Sequence, residues 1–270
     1  MAKIPARLHV LLARDAPIGL VIRRGPSDSV ATILWNRDTD DFRIGQWLKG
    51  RINERRSDLS PDGKYFIYFA NGKWRPESEG MWTAISRSPY LKAIAMYPRG
   101  DCWHGGGLWT NGNSYWLDGG GSALIDTSEI RRDCDFKSYS GIGPQTVYYP
   151  RLIRDGWTLT GNLEDSEAGT VSIFEKQFNR DWVLLTIAHS QTGSPEGKGC
   201  HWDAHQIKNT NLGIQFDYPD WEWADIDGMR LVWATGGKLF SGIFGTRGLV
   251  CETELYDFNP MKFRPINAPY

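Results

Sequence analysis

The chain has 270 residues, with Lys plus Arg at 31, Asp plus Glu at 32, and a formal net charge of −1. That balance excludes a general nucleic-acid binder, whose affinity needs a concentrated positive surface. Hydrophobic residues at 40% and charged residues at 23% exclude a disordered chain. No run approaches the roughly 20 apolar residues of a membrane span. The first ten residues carry no export-signal pattern, so the expectation is a cytoplasmic protein without membrane contact.

Aromatic residues are abundant, with 13 Trp, 11 Tyr and 11 Phe, and Gly occurs 30 times. Aromatics favour the pleated, half-buried surface of strands, and glycines serve tight turns. In chain order, residues 8–12, 19–24, 30–35 and 42–48 read as one four-stranded sheet. Residues 52–57, 65–70, 82–86 and 93–97 read as a second, and 108–109 with 115–117 open a third. Strands follow at 146–153, 157–160, 171–178 and 183–188, and a last sheet at 223–226, 230–234, 238–244 and 252–258. No long segment has a helical period. Short helical turns are expected near 127–132 and 200–207. Two irregular stretches, 118–145 and 190–200, read as long loops of the kind that carry function.

The clearest local signal is Asp58-Leu59-Ser60-Pro61-Asp62-Gly63-Lys64-Tyr65-Phe66-Ile67-Tyr68-Phe69. Pro presets the second turn position, Asp suits the third and Gly accepts positive φ, after which an aromatic strand begins. Weaker copies stand at Asn111-Gly112, Asp155-Gly156 and Asp227-Gly228. The glycines fall at 63, 112, 156 and 228. The first two steps fit the roughly 40–50 residue repeat of propeller blades. The third is too long for one blade, so a loop insertion or a degenerate blade is expected across 186–216.

Residues 58–69 resemble the repeat of TolB-like (WD40-like, PD40) β-propellers. The resemblance implies an all-β chain forming one β-propeller domain over 1–270, with about five four-stranded antiparallel blades. Members of that family mostly serve as binding platforms. The motif is structural, and no catalytic residue carries over.

Cys102, Cys134, Cys200 and Cys251 are scattered and form no CxxC pair, which in a cytoplasmic chain reads as free thiols. Cys102-Trp103-His104 and Cys200-His201-Trp202-Asp203-Ala204-His205 contain zinc-type ligands. Cys102, His104, Cys200 and His205 are thus weak metal candidates, and Cys-x-His along one strand would put both side chains on one face. The commoner role of such residues is a buried thiol or a satisfied histidine, so no cofactor is expected. Acidic pairs such as Asp133 with Asp135 and Glu222 with Asp225 are also the ordinary furniture of turns and strand ends.

The pairs Arg23-Arg24, Arg55-Arg56 and Arg131-Arg132 read as solvated strand edges or ion-pair partners. The stronger binding candidates are Trp103, Trp109, Arg131, Arg132, Trp202 and Trp221, because Trp and Arg are enriched at interface hot spots; Trp223 is a further one. Blade packing is the competing role for Trp109 and Trp223. The leading expectation is a non-enzymatic platform for another protein, of a bacterial regulatory or immunity type. The alternatives are a carbohydrate-binding or glycoside-processing propeller and a zinc-dependent activity.

Overall fold

The computed structural model describes residues 4–26, 28–138, 145–165, 169–190, 198–199 and 201–270. The chain is all-β apart from one α-helix among the described residues. It divides into two compact units, Met1–Arg151 with Met261–Tyr270, and Leu152–Pro260.

The first unit is dominated by a seven-stranded up-and-down sheet in which every strand pairs with its sequence neighbours. The strands are β1 (Arg7–Leu12), β2 (Ile18–Arg24), β3 (Ser29–Asn36), β4 (Asp41–Leu59), β5 (Tyr65–Gly72), β6 (Met81–Arg87) and β7 (Ala93–Arg99). The sequence suggested two separate sheets. Strand β4 joins them, because its first part pairs with β3 and its second with β5. Gly50 makes that continuity possible. It sits at φ +149°, and a Cβ there would lie 2.2 Å from the Asn71 carbonyl oxygen. Only glycine accepts both.

Between β4 and β5 the turn forms as its residues dictate. The Ser60 hydroxyl donates to Asp62 Oδ1 at 2.6 Å and accepts from Tyr65 N–H at 2.9 Å, while Lys64 N–H donates to Asp62 Oδ1 at 3.1 Å. Burial works against ionisation of Asp62, but the bonds from Ser60 and Lys64 outweigh it and hold the carboxyl below its usual range. Leu11, Leu20, Ile22, Ile52, Phe66 and Tyr68 form one core cluster, and Ile67, Ile85, Trp109 and Tyr115 another. A small sheet follows, β8 (Gly107–Trp109), β9 (Ser114–Leu117) and β10 (Arg131–Arg132), with β10 parallel to β9.

Helix α1 (Gln145–Arg154) replaces the strand expected at 146–153. Val147, Tyr148, Arg151 and Leu152 are all buried, a spacing of one helical face. Pro150 cannot donate to the Thr146 carbonyl, and the Ser138 hydroxyl donates to that oxygen instead. Gly156, at φ +91°, then ends the helix, with Trp157 N–H bonded to the Leu152 carbonyl at 3.0 Å.

The second unit holds two antiparallel sheets. One comprises β11 (Thr158–Asp165), β12 (Gly169–Gln177), β13 (Trp182–Ser190), β14 (His201–Asn209) and β15 (Ile214–Tyr218). The other comprises β16 (Trp223–Asp227), β17 (Arg230–Thr235), β18 (Lys238–Gly245) and β19 (Gly248–Asp257). Among the described residues no helix forms in the spans 127–132 and 200–207 where helical turns were expected: 128–129 is a turn, 131–132 is strand β10, and 201–207 belongs to β14. In β14 the buried His205, Ile207 and Asn209 alternate with Gln206 and Lys208, a period of two. The region 186–216, where a loop insertion or a degenerate blade was expected, contributes to β13, β14 and β15 of one five-stranded sheet. Most of the expected loop 190–200, with Cys200, lies outside the described residues, as do 139–144 of the expected loop 118–145. The rest of that loop is tied down, through Leu124 N–H to the Met96 carbonyl and through Glu129 to Arg87 and Tyr65.

Candidate functional site: an arginine and glycine cluster

The site grows from an irregularity in β4. Asn53 pairs with Phe69 and Asp58 with Ile67, so residues 54–57 stand opposite Tyr68 alone. Such a bulge re-aims side chains that a regular strand would alternate. It is held from inside by Arg151 of α1, whose Nη1 donates to the Glu54 carbonyl at 2.9 Å and to the Ser57 carbonyl. Arg151 Nη2 meets His9 Nε2 at 3.0 Å. Both arginines of the bulge are buried: Arg55 lies 4.8 Å from the centre of the Tyr148 ring, and Arg56 lies 5.1 Å from that of Phe69. The expectation of a solvated strand edge is thus corrected for Arg23, Arg55 and Arg56, each 4% exposed or less. The expectation of an ion pair holds for Arg24, which pairs with Glu54 at 2.8 Å.

Arg56 Nη2 donates to the Trp103 carbonyl at 3.2 Å, while its Nε and Nη1 are buried without a hydrogen-bond partner among the described residues. Burial lowers the basicity of Arg56, and Asp118, Cys102 and Asp101 oppose that shift. The guanidinium remains charged at any physiological pH. Around it two glycine segments approach backbone to backbone. Gly106 has φ +84°, and a Cβ there would lie 2.0 Å from the Arg56 carbonyl oxygen. Gly106 N–H donates to the Thr83 hydroxyl at 2.7 Å, and Gly105 N–H to Asp118 Oδ2 at 3.0 Å. Gly119, Gly120 and Gly121 all have positive φ, and their carbonyls receive Arg99 and Arg132. Arg99 Nε is also buried without a hydrogen-bond partner among the described residues, and burial lowers its basicity too.

Cys102, Trp103 and His104 lie on the loop covering this cluster, not on a strand, so the shared face expected for Cys-x-His does not arise. Asp101 Oδ1 instead accepts the N–H groups of Trp103 and His104. His104 Nδ1 stands 3.6 Å from Asp118 Oδ1. Trp103 is 60% exposed. The β5–β6 loop, 73–80, lies at the same end of the sheet, since Met81 pairs with Arg99. A Cβ on Gly100 would come within 2.9 Å of Glu79 Oε2 on that loop. It carries Trp74, 69% exposed.

The other candidates scatter. Trp109 and Trp221 are buried core residues, Trp109 against Tyr65 and Tyr115, Trp221 stacked at 4.9 Å on Trp233. Trp223 is also buried, on β16. Arg131 is exposed on β10, and Arg132 beside it bonds the Gly121 carbonyl at 2.9 Å. Trp202 lies on β14, stacked 3.6 Å from the His189 ring with Lys198 Nζ 4.2 Å from its own. His205 is buried on β14, with Nδ1 3.1 Å from the Trp221 carbonyl oxygen. Among the described residues no three His, Cys, Asp or Glu side chains are grouped to hold a metal ion. Sequence reading missed Arg56, Arg99, Asp118 and Trp74.

No family model matches this chain, and no curated protein does. A crystal structure of an uncharacterised protein from Listeria monocytogenes EGD-e aligns with 94% of this chain and 67% of its own, at 8% identity and a TM-score of 0.28. That likeness is too slight to carry fold or function. No helix is long and apolar enough to cross a membrane among the described residues.

Proposed function

We propose that this chain is a non-enzymatic binding platform that engages a protein partner through the loop end of the seven-stranded sheet. The observation that carries this reading is the pair of exposed tryptophans, Trp74 and Trp103, on neighbouring loops of a rigid scaffold. Exposed tryptophan costs solvation, and it is a side chain enriched at binding hot spots. Function commonly resides on loops that a rigid sheet positions. On the same reading the consecutive up-and-down sheets are propeller blades. Their sequential antiparallel order supports that reading.

The test is capture of a stoichiometric partner by the tagged protein from its own host, with Trp74→Ala and Trp103→Ala run beside the wild type. Each substitution should weaken capture by about 30-fold or more in affinity, the size of a hot-spot loss. Equal capture by the double variant would remove the proposal. Binding of a glycan by the same face, read as tryptophan fluorescence quenching, would replace it with the carbohydrate reading.

A further inference from the structure

We propose that Arg56, with Arg99 and His104 beside it, forms a binding site for a compact oxyanion, the carboxylate or phosphate group of a ligand. Arg56 is 4% exposed, yet among the described residues Nε and Nη1 lack hydrogen-bond partners, and Arg99 Nε and His104 Nδ1 are likewise buried without hydrogen bonds. Buried donors are almost always satisfied, and each exception calls for an unseen water, an ion or a functional role. Here the exceptions gather around the loop carrying Cys102, Trp103 and His104, and all of them are donors or can be. An acceptor-rich ion held beside Arg56 would supply the acceptor such donors lack.

The charges agree. Asp118 and Asp101 act on both Arg56 and Arg99, and Arg132 acts on Arg99. Arg56, Arg99 and Arg132 thus gather at one end of the sheet, with Asp101 and Asp118 among them. Asp118 Oδ2 is already engaged by Gly105 N–H, and its Oδ1 stands beside His104. The fixed glycine turns at 105–106 and 119–121 leave no side chain of their own to fill the approach. The bulge in β4, braced by Arg151, aims Arg56 into the cluster. None of this depends on the tryptophan pair, and the free-ion test below leaves the partner out.

The experiment is calorimetric titration of the full chain with sodium phosphate and, separately, sodium acetate, at ionic strength held constant with sodium chloride. Saturable binding near one ion per chain is expected for at least one of them. Phosphate alone would identify a phosphoryl group as the ligand, acetate alone a carboxylate. Arg56→Met should weaken it about 10- to 100-fold, the loss of charge-assisted hydrogen bonds, with an unchanged near-ultraviolet circular dichroism spectrum. Arg56→Lys should restore part of the affinity. As a check that needs no variant, the Arg56 Nε–H nuclear resonance should shift on titration. Absence of saturable binding by either ion, or an Arg56 resonance that does not move while binding proceeds, would overturn the proposal.

Discussion

Replacing Arg151 with Met keeps the aliphatic stem and removes every donor. In the wild type its guanidinium serves the Glu54 and Ser57 carbonyls and meets His9, all from one side of the β4 bulge. Ser57 is fully buried, so its carbonyl would lose a partner that water cannot replace. A buried acceptor left alone costs about 1–3 kcal/mol, and bonds from a charged donor sit at the upper end. Glu54 is less buried and recovers part of its loss from solvent. Removing a buried charge also returns some desolvation energy. The balance is a destabilisation of about 3 kcal/mol. It should appear in urea unfolding followed by tryptophan fluorescence as a lower midpoint at an unchanged slope. A change under about 1 kcal/mol would show that the bulge stands without Arg151 and would refute its role as the brace.

Gly106→Ala should destabilise by about 2–4 kcal/mol, because the new methyl meets a backbone oxygen at 2.0 Å from a positive-φ position. Gly112→Ala has nothing within 4 Å and should change stability by no more than about 0.5 kcal/mol; thermal melts of the pair read the contrast. His205 gives a pH dependence: burial, opposed by Asp203 and the Trp221 carbonyl, holds its pKa below the ordinary 6.5. The unfolded chain then binds more protons than the folded one as pH drops below about 6.5. Stability is full above that pH and falls beneath it, and the slope of urea midpoint against pH should shrink in His205→Gln. An identical slope in the variant would contradict this.

Much of the strand content was legible because it is written in local alternation and turn chemistry. Ser60-Pro61-Asp62-Gly63 forms the hydrogen-bonded turn its residue types require, and Asp227-Gly228 closes the β16–β17 hairpin. The helix was misread because Thr146, Val147, Tyr148 and Tyr149 favour strands and Pro150 breaks helices. The donor that Pro150 lacks at the Thr146 carbonyl is supplied by Ser138, a residue outside the segment. The strand at 201–207 is written in the alternation of His205, Ile207 and Asn209.

The site was less legible than the fold. Arg55-Arg56 looks like any charged pair, and nothing local reports a bulge whose brace comes from Arg151, nearly a hundred residues later. Trp109 and Trp221 could not be told from Trp74 and Trp103 by residue type. Only packing separates the two pairs.

On the proposed reading the loop end of the seven-stranded sheet is the binding face. Hydrogen–deuterium exchange of the chain with and without its captured partner tests it most directly. Added protection is expected at 73–80, 100–106 and 118–121, with little change in β16–β19. Protection confined to the second unit, with those three loops unchanged, would contradict it.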